Sequence, residues 1–141
     1  MKIFVLEDDY NCKDVINWLR NKSDTIQIVD TIEDAFYYLI YEENYRDYDK
    51  YILDASLPGA SVCYPDGAEK EYNGSVNGID FVVDNFEKAG IDLNRIAVLT
   101  AFAAQAADYL KLKKYYNRIK IINKNDGDLT KRLQEFLDSQ V

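Results

Sequence analysis

Four short apolar runs, each stopping at a residue suited to phosphoryl chemistry, constrain this chain more than any other feature. Ile3-Phe4-Val5-Leu6 leads into Glu7-Asp8-Asp9, and Tyr51-Ile52-Leu53 leads into Asp54. Ile96-Ala97-Val98-Leu99 leads into Thr100-Ala101, and Ile119-Lys120-Ile121-Ile122-Asn123 leads into Lys124. Strands buried on both faces of a parallel sheet read as runs of this kind. In open α/β sheets the ligand site lies beyond the carboxyl ends of the strands. Set side by side, the four runs gather carboxylates, a hydroxyl and an ammonium on one rim. That set is what a magnesium ion and a phosphoryl group require.

The segments between the runs carry helical spacing. Val15, Ile16, Trp18 and Leu19 cluster on one side of a helix over 11–21, and Ile26-Gln27-Ile28-Val29 reads as a further strand. A second helix is expected over 32–44. Its tyrosines (Tyr37, Tyr38, Tyr41 and Tyr45) spread around the axis, so some must be exposed, with their polar tips in water. Further helices are expected over 78–89, ended by Gly90, over 103–115, and over 128–139, where Leu129, Leu133, Phe136 and Leu137 share a buried face. Five strand–helix units predict an α/β fold. The expected form is a doubly wound five-stranded parallel sheet in the order 2-1-3-4-5, flavodoxin-like, with helices on both faces. With 141 residues, 48% of them hydrophobic, the chain makes one domain with an ample core.

Magnesium takes oxygen ligands in near-octahedral geometry and uses one or two carboxylates, leaving room for water and phosphate. Glu7, Asp8 and Asp54 supply that charge, and the turn after Asp54 offers the backbone carbonyl of Ser56 as a further oxygen. Asp9 is expected to cap the helix that follows it.

In these residues the chain resembles a response-regulator receiver domain of two-component signalling, the family of the bacterial chemotaxis regulator. The matching positions are Glu7-Asp8 after strand one, Asp54 with Leu57-Pro58 after strand three, Asn77-Gly78 opening the next helix, Thr100-Ala101 ending strand four, and Lys124 ending strand five. They cover nearly the whole chain (1–141) in the family's order. The resemblance implies that Asp54 is the phosphoacceptor, Asp8 a direct magnesium ligand, and Glu7 a ligand through water. It implies that Thr100 binds a phosphoryl oxygen, with Ala101 beside it, and that Lys124 pairs with the phosphate. A partner histidine kinase or histidine phosphotransfer protein would then supply the phosphoryl group. A downstream protein target would read the result, and homodimerisation is a further option.

Three positions depart from the family pattern. The 59–77 segment is far longer than the usual turn, with turn signals at Pro65-Asp66-Gly67 and Asn73-Gly74. It reads as an inserted loop or hairpin beside Asp54, suited to shield a phosphate or dock a partner, or as a tolerated mobile insertion. Asn125 follows Lys124 where the family usually has proline, and Ile121 stands where strand five commonly holds a switch aromatic.

Charge and composition narrow the function further. A net charge of −8 with no basic stripe argues against direct binding to nucleic acid. The small cluster Lys111, Lys113, Lys114 and Arg118 suits a helix C-terminus. No apolar run is long enough to cross a membrane, and the first residues begin a strand without a signal-peptide pattern. Two cysteines, Cys12 and Cys63, give no disulfide framework, so the reducing cytoplasm is the expected compartment; a Cys12–Cys63 redox pair is the minor alternative. The chain has no histidine, so it carries no phosphohistidine, and its phosphoryl group must come from another molecule. The expectation is a stand-alone receiver, not an enzyme beyond its own phosphorylation and dephosphorylation. One alternative is a pseudo-receiver interaction module. The other is a haloacid-dehalogenase-type phosphatase, disfavoured because the position two after Asp54 is Ser56 and not a second acid.

Overall fold

The computed structural model describes residues 1–8, 13–22, 25–44, 47–112, 114, 115 and 117–139, with the backbone alone at 13 and 14. In chain order the elements are β1 (Lys2–Leu6), α1 (Lys13–Arg20), β2 (Thr25–Val29), and α2 (Ile32–Ala35), which runs into a π-helical stretch, Phe36–Tyr41. Then come β3 (Lys50–Asp54), β4 (Ala60–Cys63), β5 (Glu69–Tyr72), α3 (Asn77–Asn85) and a 3₁₀ turn, Leu93–Arg95. The chain finishes with β6 (Ile96–Thr100), α4 (Ala103–Leu112), β7 (Lys120–Asn123) and α5 (Leu129–Asp138).

Five strands form one parallel sheet in the order β2-β1-β3-β6-β7. Because β4 and β5 pair separately as an antiparallel hairpin, this is the 2-1-3-4-5 order of the five principal strands, consistent with a doubly wound fold. The period-two alternation of a strand sorts side chains onto two faces. Ile3, Val5, Ile52, Ala97 and Leu99 pack with Leu19 of α1 and with Leu133, Phe136 and Leu137 of α5. Phe4, Leu6, Tyr51, Leu53 and Val98 pack on the other side with residues of α2, α3 and α4, among them Ile32, Phe81, Val82 and Leu110. Both central strands, β3 and β6, are buried along their whole length. Lys50, buried there, donates to the Ser139 carbonyl at 2.9 Å and to its hydroxyl at 2.8 Å.

The 32–44 segment departs from a plain α-helix. Thr31 Oγ1 accepts the Asp34 amide and starts one α-turn, after which the Glu42 amide donates to the Tyr37 carbonyl at 2.9 Å, an i→i+5 bond. The run Phe36-Tyr37-Tyr38-Leu39-Ile40-Tyr41 contains no small residue. Phe36 packs edge-on to Tyr64 of the hairpin, and Tyr38 reaches Phe4 and Tyr48. Tyr37 and Tyr41 remain outside, stacked 5.4 Å apart; Tyr45 lies outside the described residues. α3 ends at Asn85, short of the expected 89, and turns carry the chain to Gly90, whose φ of +81° favours glycine. α4 stops at Leu112, where Lys114 takes φ +64° and the Tyr115 amide bonds Leu110. Lys111 is exposed, Arg118 pairs with Glu87, and Lys113 lies outside the described residues.

The segment after Pro58 forms the β4–β5 hairpin, with Gly67 at φ +91° in its tip. It packs on the α2 and α3 side of the sheet. Ala60, Val62 and Tyr72 are buried there, and Ser61, Cys63, Glu69, Lys70 and Glu71 face outward. Cys12 lies outside the described residues, so its pairing with Cys63 is not described. No helix among the described residues is long and apolar enough to cross a membrane.

Candidate metal and phosphoryl site

Parallel register brings the strand ends together. Leu6 pairs with Leu53, so Glu7 and Asp8 follow β1 where Asp54 closes β3. Asp54 pairs with Leu99 and Thr100 with Asn123, so Thr100 and Lys124 close β6 and β7 on the same rim. The Lys124 ammonium donates to Glu7 Oε1 at 2.8 Å and to Asp54 Oδ2 at 3.0 Å. Carboxylate oxygens of Glu7, Asp8 and Asp54 all lie within 4.8 Å of one another. Glu7 and Asp54 are buried, and Asp8 is half-buried.

Among the described residues, one ammonium stands against three carboxylates. Burial, then the charge of Asp54, pushes the Glu7 carboxyl up to about 8 from 4.5, against the opposing pull of Lys124. Burial, then Asp54, also raises Asp8. Burial alone would lower Lys124, but its bonds to Glu7 and Asp54 outweigh that and hold it above its ordinary value. The donor set is all hard oxygen, with excess negative charge at the mouth of a parallel sheet. It fits magnesium or a similar hard divalent cation.

The turn after Asp54 is held from three directions. The Ser56 amide donates to Asp54 Oδ1 at 3.1 Å, while the Ser56 side chain is exposed. Asn77, almost fully buried at the start of α3, makes four hydrogen bonds with its carboxamide. Oδ1 accepts the Leu57 amide at 2.8 Å, and Nδ2 donates to the carbonyls of Leu57 at 2.9 Å, Pro58 at 3.3 Å and Tyr72 at 2.9 Å. Gly78 comes next because nothing larger fits: a Cβ there would stand 2.0 Å from the Asp54 carbonyl oxygen. Its amide donates to the Ala55 carbonyl at 3.0 Å.

Thr100 is buried, and its hydroxyl oxygen accepts the Phe102 amide at 3.0 Å, so the side chain is engaged by its own loop. The Lys124 amide donates to the Thr100 carbonyl at 2.9 Å and fixes the two strand ends to each other. Ala101 sits exposed in the bend between them and α4. Asn125 uses an amide that proline would lack to donate to Asn123 Oδ1 at 2.9 Å, and Lys124 reaches both carboxylates from this backbone. Ile121 is half-buried against the α4 side of the core. Asp9 lies outside the described residues. Sequence reasoning noted Asn77-Gly78 as a pair but missed what each does; an Asn-Gly opening a helical run after a turn-rich insertion was the available signal.

No protein-family model matches the chain, and a search of curated proteins gives no match.

Proposed function

We propose that this protein is a receiver-type phosphoacceptor of flavodoxin-like fold, phosphorylated on Asp54 with magnesium bound by Glu7, Asp8, Asp54 and the Ser56 carbonyl. The observation that carries the reading is the lysine bridge from Lys124 to Glu7 and Asp54 beside Asp8, at the carboxyl ends of β7, β1 and β3 in one parallel sheet. When bound, the cation would offset charge on the acids and on an incoming phosphoryl group.

The residues themselves account for the rest. An Asp54 oxygen attacks the phosphorus of a phosphodonor in line. The new P–O bond forms as the donor's bond to phosphorus breaks, and the leaving group takes its electron pair. Lys124 lowers the repulsion between nucleophile and phosphoryl group. The Thr100 hydroxyl, exchanging the Phe102 amide for a phosphoryl oxygen, would pull on the loop that opens α4. The donor class is a histidine kinase or histidine phosphotransfer protein in the cytoplasm, and the target is a protein that binds the altered α4–β7–α5 face, either a partner or a second copy. A cleft lined by Ala103, Ala107, Ile121 and Phe136 already opens on that face, away from the acids.

Ile121 favours a second reading, an interaction module without phosphoryl turnover, because no aromatic ring stands on β7 to follow Thr100. Incubation with MgCl2 and acetyl phosphate, followed by intact mass, separates the two. The acceptor gains one phosphoryl group that Asp54→Asn does not. A wild-type protein that gains none supports the interaction module, and continuous phosphate release would support a phosphatase.

A further inference from the structure

The hairpin and the acid cluster are joined at one side chain. Asn77 bonds the backbone of Leu57 and Pro58, just past Asp54, and with the same Nδ2 reaches the carbonyl of Tyr72, the last residue of the hairpin. An amide buried to this extent, with donor and acceptor both used, fixes its neighbours relative to one another. The hairpin end of this clasp is itself anchored. The Tyr72 hydroxyl donates to Asp84 at 3.0 Å and lies 3.2 Å from the Tyr64 hydroxyl, and Tyr64 donates to Asn85 at 2.7 Å. On the other side there is no slack, because Gly78 is pressed against the Asp54 carbonyl. Moving the hairpin therefore moves the Leu57–Pro58 backbone, and with it the adjoining Ser56 peptide, whose amide holds Asp54 Oδ1.

We propose that Asn77 is a positioning residue for the acid cluster: it couples the β4–β5 hairpin to the loop after Asp54, so that hairpin position sets divalent-cation affinity. The inference rests on the acceptor reading above and adds to it a route of regulation. Anything that grips or displaces the hairpin would tune the site, and cation binding would in turn steady the hairpin, since coupling between sites is reciprocal.

The test titrates MgCl2 into wild-type protein and into Asn77→Ala by calorimetry, with folding checked by circular dichroism. Removing an outer-shell contact of this kind is expected to weaken Mg2+ binding by about tenfold or more in the folded variant. A purely structural role would lower the melting temperature and leave the dissociation constant of the folded protein within twofold of wild type, on the order of experimental scatter against that tenfold expectation; that result overturns the inference. Should Asn77→Ala not fold, hydrogen exchange on the wild type decides. Saturating MgCl2 should slow exchange of the amides of residues 60–72, and unchanged exchange there overturns the coupling. A wild-type protein that binds no Mg2+ sinks the acceptor reading and this inference together, whereas wild-type binding with an indifferent variant sinks the inference alone.

Discussion

Two buried polar clusters meet α3, one at its first turn and one at its last, and they are built on opposite principles. Around the hairpin, Tyr64, Tyr72 and Asn85 exchange hydrogen bonds with one another, and the one charged member, Asp84, is half-exposed and meets Lys70 at 3.8 Å. Around Asp54, three acids face a single ammonium among the described residues, and the balance of charge there is met only in part. The first cluster is complete within the chain. The second has the donor set of a metal site. A buried network of neutral partners stiffens a fold, while a buried excess of one charge costs stability and persists where a ligand is to be bound.

The largest effect that would break this contrast comes from Lys124. Lys124→Met leaves Glu7 and Asp54 facing each other in a buried site, and losing one partner of such a pair costs about 3 kcal/mol. Chemical denaturation of the metal-free variant should show that loss at pH 8. A smaller loss is expected at pH 5, where Glu7 takes up a proton. An equal loss at both values would mean that Lys124 acts by packing alone.

The acid cluster should also give a pH signature that the hairpin lacks. Folding raises Glu7 from 4.5 to about 8, so the native state holds a proton that the unfolded chain releases. The stability this confers is whole below about pH 4.5 and is lost as pH rises toward about 8. Melting of the metal-free protein should therefore fall in temperature between pH 5 and 8, and Glu7→Gln should flatten the profile. Saturating Mg2+ should flatten it too, since the cation takes over the role of the proton. The smallest effect belongs to Tyr72→Phe. It removes bonds to Asp84 and Asn85 and should cost about 1–2 kcal/mol, equally at pH 5 and pH 8 and with or without Mg2+. A pH-dependent loss there would blur the distinction between the clusters.

Much of the site was legible because strand-end chemistry is written in one dimension. An apolar run says where a buried strand lies, and the next residue says what stands on the rim. Glu7, Asp54 and Lys124 could be placed together from that alone. The hairpin was visible as turn signals, but which helices it rests on was not, since Tyr64 meets Phe36, 28 positions earlier, and no local spacing announces such a contact. The clasp was hidden for a related reason: Asn77 bonds residues 20 and 19 positions earlier, and a sequence pattern carries no record of such bonds. α4 closed at Leu112, short of its expected end, next to the positive-φ turn at Lys114, whereas α3 gave way to turns after Asn85, before Gly90 was reached.

The contact between Gly78 and the Asp54 carbonyl has a mechanical consequence. With the helix seated hard against the strand and Asn77 pinning the turn between them, that flank of the aspartate behaves as a wall. The opposite flank, from Thr100 through the exposed Ala101 and Phe102, is tethered at its hydroxyl by a single amide. Strain introduced at Asp54 would then divide: toward α4 it would meet the looser tether, and toward the hairpin it would pass through the Asn77 clasp.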